Sequence, residues 1–90
     1  MSRPVYALDA RAVDTAVRVA INDLELSRRP WARLAPSDVT VQANPRTFVV
    51  LGQPLTLGGA DVVIDPLVPP DKLRVVDRRT ARTIVLELHL

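Results

Sequence analysis

LDARAVDTAVRVAINDLELSRR, residues 8–29, is the one long segment of this chain with helical periodicity. Val13, Val17, Ala20, Ile21 and Leu24 recur at three- and four-residue steps, which stacks them on one helical face. Asp9 is placed to cap the first turn by accepting a bond from an orphan amide. Leu8 and Val13 flank it at the spacing of a hydrophobic staple. At the far end Arg28 and Arg29 suit the negative pole of the helix, and Pro30 cannot continue the hydrogen-bond ladder. The spacing predicts a helix over residues 10–28.

The rest of its circumference carries two further lines. Arg11, Asp14, Arg18, Glu25 and Arg29 form a polar side, with Asp14–Arg18 and Glu25–Arg29 at the i,i+4 spacing of ion pairs. Ala12, Val19 and Leu26 form a second apolar line at seven-residue steps. At 100° per residue this line lies well round from the main stripe, so one flat sheet does not bury both. These three residues are the candidate protein interface.

On the N-terminal side of the helix, Ser2 to Ala7 reads as an extended arm or edge strand, because Pro4 lacks the amide a central strand needs. On the C-terminal side, Pro30 to Pro36 is a connector whose Trp31 is expected to fold back over the helix end. From Asp38 the apolar period changes from 3.6 to two, the spacing of half-buried strands. Three antiparallel hairpins are expected. In the first, Val39 to Gln42 turns at residues 43–46 and returns as Thr47 to Leu51, placing Val41 opposite Phe48 and Val39 opposite Val50.

The second hairpin runs from Leu55 to Ile64 around Gly58-Gly59, with Leu57 opposite Ala60 and Leu55 opposite Val62. Two glycines suit a two-residue turn that needs positive φ. Pro66 to Asp71 is too rich in proline for a central strand and reads as a rigid connector. The third hairpin turns at residues 78–81. Pairing Asp77 with Arg82 also sets Lys72 opposite Glu87, opposite charges in both cases, and gathers Leu73, Val75, Ile84 and Leu86 on one face. The expected class is α+β: one N-terminal amphipathic helix followed by three antiparallel β-hairpins, forming a small sandwich or partly closed barrel.

Ninety residues, 48% of them hydrophobic, make a single domain, 1–90, with an aliphatic core, since Tyr6, Trp31 and Phe48 are the whole aromatic complement. The chain has no cysteine, which removes disulfides and thiolate chemistry. Neither a signal-peptide pattern nor a run of transmembrane length is present, so a soluble protein, cytoplasmic or virion-associated, is expected.

Little in the chain selects a catalytic constellation. The single histidine, His89, reads as a strand-end surface residue, and no nucleophile elbow surrounds Ser2, Ser27 or Ser37. Asp61, Asp65, Asp71 and Asp77 lack calcium-loop spacing, and most sit in turn sequence where aspartate is expected for its own bonding. Gly58-Gly59 lacks the spacing of a phosphate loop. No enzyme activity, cofactor, metal site or small-molecule substrate is expected.

Two binding readings remain. Arg74, Arg78, Arg79 and Arg82 gather at the last hairpin as candidate nucleic-acid contacts, diluted by Asp71, Asp77 and Glu87 and without aromatic residues for base stacking. The stronger expectation is a structural or adaptor subunit that meets a protein partner or itself. It rests on the second helical stripe and on apolar residues of the alternate strand faces, Val49, Leu51, Val63, Val76 and Val85. By analogy of architecture, small virion components of bacteriophages (minor capsid, decoration or head–tail joining proteins) are the expected setting.

Overall fold

The computed structural model describes residues 2–6, 9–26 and 38–89. The expected roles of Leu8, Arg28, Arg29, Pro30 and Trp31, and the side chain of Leu26, lie outside the described residues. The elements in chain order are β1 (Ser2–Val5), α1 (Ala10–Leu26), β2 (Val39–Ala43), α2 (Pro45–Val50), β3 (Thr56–Leu57), β4 (Ala60–Ile64), β5 (Lys72–Asp77) and β6 (Thr83–Leu88). The strands form one curled mixed sheet in the order β1-β6-β5-β2-β4-β3, a half-barrel with α1 against its inner face.

Helix α1 forms as its sequence dictates. The Ala12 amide donates to Asp9 Oδ1 (2.8 Å), so Asp9 is the cap. Val13, Val17, Ala20, Ile21 and Leu24 are all buried, and the strands answer with Val39, Val41, Leu73, Val75, Ile84 and Leu86. Each such large side chain contributes about 1.5–3 kcal/mol when taken fully out of water.

The helix also joins the two margins of the sheet. Arg3 on β1 pairs with Asp23 on α1. At the other margin the Gly58 amide donates to Asp14 Oδ1 (2.6 Å), and a Cβ on Gly58 would stand 2.8 Å from Val17 Cγ1. Glycine is required there twice over, for this approach and for its φ of +61°.

Two hairpins have the expected registers. Leu57 faces Ala60, and the Val62 amide donates to the Leu55 carbonyl (3.1 Å). Lys72 faces Glu87, and the Asp77 amide donates to the Arg82 carbonyl (2.8 Å). The edge position of β1 is also as expected. The Val5 carbonyl accepts from the His89 amide, so Val5 turns its polar groups toward β6 and Pro4 turns its amide-less side away from the ladder.

The first hairpin does not exist. Val39 and Val41 face the core as expected, but residues 45–50 form a helix rather than a returning strand, so neither Val41–Phe48 nor Val39–Val50 is a cross-strand pair. The polypeptide signals its own helix here. Asn44 is the cap, its side chain accepting from the Arg46 amide (2.9 Å), and Pro45 occupies the first turn, where a missing amide costs nothing. Gly52, at φ +84°, closes a Schellman motif: the Gly52 amide donates to the Val49 carbonyl and the Gln53 amide to that of Phe48.

Consequently β2 runs parallel to β4, and α2 belongs to the crossover a parallel pair requires. On its other side β2 is antiparallel to β5. The sheet is therefore mixed, with two hairpins, not an antiparallel set of three. The Pro66–Asp71 connector carries the chain from β4 past the end of β2 to β5, anchored where Asn44 Nδ2 donates to the Val68 carbonyl (2.9 Å) and Thr47 Oγ1 to that of Pro70.

Candidate interaction surfaces

Among the described residues, eight large apolar side chains stand exposed: Tyr6, Val19, Val49, Val50, Leu55, Val63, Ile64 and Leu67. The last six fall along the stretch from α2 to the start of the connector, a corner of the chain that does not present one face, since Val63 and Ile64 are consecutive on β4 and point to opposite sides of the sheet. Val49 and Val50 are 60% and 62% exposed, Leu55 83%, Val63 46%, Ile64 48% and Leu67 85%. This corner is tied together by the Asn44–Val68 and Thr47–Pro70 bonds and by the Val62–Leu55 bond of the hairpin. It offers apolar side chains on a braced backbone.

This corner is legible in the sequence only in part. Val49 and Val63 were expected on an outward strand face; Val63 is there, while Val49 is outward on a helix. Leu51, expected beside them, is buried as the cap of α2, and Val76 and Val85 are half-buried on the convex face of the sheet. Val50, Leu55, Ile64 and Leu67 were missed. Val50 was assigned inward by the strand register. The alternation of β4 puts Ile64 on the same face as Ala60, yet the core stops short of it.

The second stripe of α1 is partly visible. Ala12 is half-buried and Val19 is 49% exposed, both on the helix side away from the sheet, and Leu26 is the last residue of α1. The polar side of that helix has a defined role. Arg18 Nε donates to Asp14 Oδ2 (2.8 Å) while Gly58 donates to the other oxygen. The Gly58 amide first, and then Arg18, hold the Asp14 carboxyl below the usual carboxylate range.

Arg74, Arg78, Arg79 and Arg82 are all exposed. Arg74 points from the outer face of β5, and the others surround the β5–β6 turn. That turn is organised by acids. Asp77, fully buried, accepts from the Arg79 amide (3.0 Å) and from Thr80 Oγ1 (2.9 Å). Asp38 lies alongside, its carbonyl accepting from the Arg78 amide (2.9 Å) and its carboxylate 3.8 Å from Arg79 Nε. Ala81 completes the turn with φ +59°.

The aspartates weighed as cation ligands behave as turn builders where their bonds are seen: Asp65 Oδ1 accepts from the Leu67 amide (2.9 Å), and Asp77 is used as described. His89 follows β6 and stacks on Tyr6 with ring centroids 5.0 Å apart. Among the described residues no cluster of three or more metal-ligating side chains occurs, and no helix is long and apolar enough to cross a membrane. The chain matches no family model, no curated protein and no solved structure.

Proposed function

We propose that the chain is a non-catalytic structural or adaptor subunit of a larger protein assembly. The observation that carries this reading is that, among the described residues, six of the eight exposed large apolar side chains fall along the α2–β4 corner, on both sides of the sheet margin. Burying them would contribute on the order of 10 kcal/mol gross. Association costs roughly 4–15 kcal/mol in lost freedom, so the corner is of a size to matter, whereas Val19 alone is not. Ala12, Val19 and Leu26 on α1 would then form a secondary contact of the same assembly.

The proposed setting is a bacteriophage virion, as a minor capsid, decoration or head–tail joining component. Gene neighbourhood tests it directly. Terminase, portal or capsid genes beside this one are expected; a toxin or transcription-factor operon would overturn the virion setting.

A second reading, nucleic-acid binding, is favoured by the exposure of Arg78, Arg79 and Arg82 around the β5–β6 turn and of Arg74 on the outer face of β5. Phosphate contacts release counterions, so retention on DNA or RNA would weaken steeply with salt. Absent or salt-insensitive retention removes this reading.

A further inference from the structure

We propose that β1 is an edge guard: it covers the flank of β6 at which one copy of the chain would otherwise add to another strand by strand, and Pro4 closes the flank that β1 itself leaves free. This role belongs to the free chain and stands independently of the assembly reading above.

What β1 covers is β6. The segment Thr83–Leu88 has six residues, three of them β-branched, with one charge and neither proline nor glycine. Six-residue segments of high β-propensity and low charge are the ones that pair between chains when their edge is bare. One flank of β6 is taken by β5, with Leu73 opposite Leu86 and Val75 opposite Ile84. The other faces β1 in parallel register, from Ser2 opposite Val85 to Val5 opposite Leu88. In a parallel ladder every second residue turns its amide and carbonyl toward the partner. The His89 amide donates to the Val5 carbonyl (2.8 Å), so on this flank β6 uses Val85, Glu87 and His89. Without β1 these groups would form an open template for another strand.

More than the ladder holds β1 in place. Val5 is buried in the core, Arg3 pairs with Asp23 on α1, and Tyr6 stacks on His89 with ring centroids 5.0 Å apart. The outer flank of β1 is a poor template. In the same register Ser2 and Pro4 face away from β6, and Pro4 has no amide to give. The opposite margin of the sheet is closed by brevity, since β3 has two residues.

Sedimentation velocity of the full chain from micromolar to near-millimolar concentration, together with amide exchange, tests the inference. Pro4→Val supplies the missing amide at an exposed position without touching the core. Self-association should strengthen about tenfold or more over the parent, the worth of roughly one recovered backbone bond. The new amide at position 4 should be protected in the associated form. A second variant, Arg3→Glu with Val5→Asp, sets like charges beside Asp23 and puts a carboxylate where a valine is buried, which releases β1. Exchange should then quicken at Glu87 and His89 while β5 stays protected, and association should rise.

A Pro4→Val chain that associates no more than the parent overturns the inference. So does a released β1, with fast exchange at Glu87 and His89, that brings no gain in association. Unchanged exchange at those two amides in the double variant also overturns it, because their protection would then come from something other than β1. If the double variant unfolds altogether, Pro4→Val alone decides.

Discussion

At the scale of single residues, two glycines and one aspartate hold geometry that no other side chain would. Gly52 and Gly58 both have positive φ, but nothing lies within 4 Å of a Cβ on Gly52, whereas Gly58 abuts Val17. Gly52→Ala should therefore cost only the left-handed backbone penalty, about 1–2 kcal/mol. Gly58→Ala should cost more, because overpacking is added to the same penalty. Urea midpoints at constant m-value would show this ordering, and equal losses would disprove the close approach. Asp14 has a folded carboxyl held below its ordinary value by Gly58 and Arg18. Its stabilising contribution is therefore present above the unfolded pKa of about 4 and is lost as pH falls through the depressed folded value. Asp14→Asn should flatten the fall of stability between neutral and acid pH, measured by thermal melts across that range. An unchanged pH profile would mean that neither the Gly58 bond nor the Arg18 pair stabilises the ionised carboxylate.

At the scale of elements, α2 shows how a short helix can hide within strand-like sequence. Thr47, Phe48, Val49 and Val50 favour strands by propensity, and they alternate plausibly with β2. The start and stop signals point the other way: asparagine before proline at one end, glycine followed closely by proline at the other. The parallel partnership of β2 with β4 sides with those signals, because it needs a crossover and leaves no place for an antiparallel return. Asn44→Ala should remove the cap together with the tie to Val68, costing about 1–2 kcal/mol. Amide exchange should quicken across residues 45–52 more than in β5 or β6; a uniform change would indicate that α2 has no stability of its own.

At the scale of the whole molecule, the curled sheet and the single helix are one device. Helix α1 touches β1 and β6 on one side and β3 on the other, so the half-barrel is bridged by the helix rather than by further strands. Val19, on the side of α1 turned from this bridge, should tolerate Val19→Asp with stability changed by no more than about 0.5 kcal/mol. A large loss of thermal stability would show that the second stripe belongs to the core. If it instead contacts a neighbour in the assembly, Val19→Asp should lower incorporation while the fold persists.

Much of this was legible in local pattern: the cap and buried face of α1, the glycine turn of the second hairpin, the register of the third, and the edge position of β1. Each follows from bonds and periodicities spanning a few residues, where propensity, turn chemistry and amphipathic spacing agree. Strand order and direction were not legible. A period of two tells which face of β2 is buried, but it does not say that β4 lies parallel on one side and β5 antiparallel on the other. The apolar corner was hidden for the same reason. Leu55, Ile64 and Leu67 look like core residues one at a time, and only the placing of β3 and β4 at the margin, where α1 reaches Gly58 and the core ends with Leu57 and Ala60, leaves them in water.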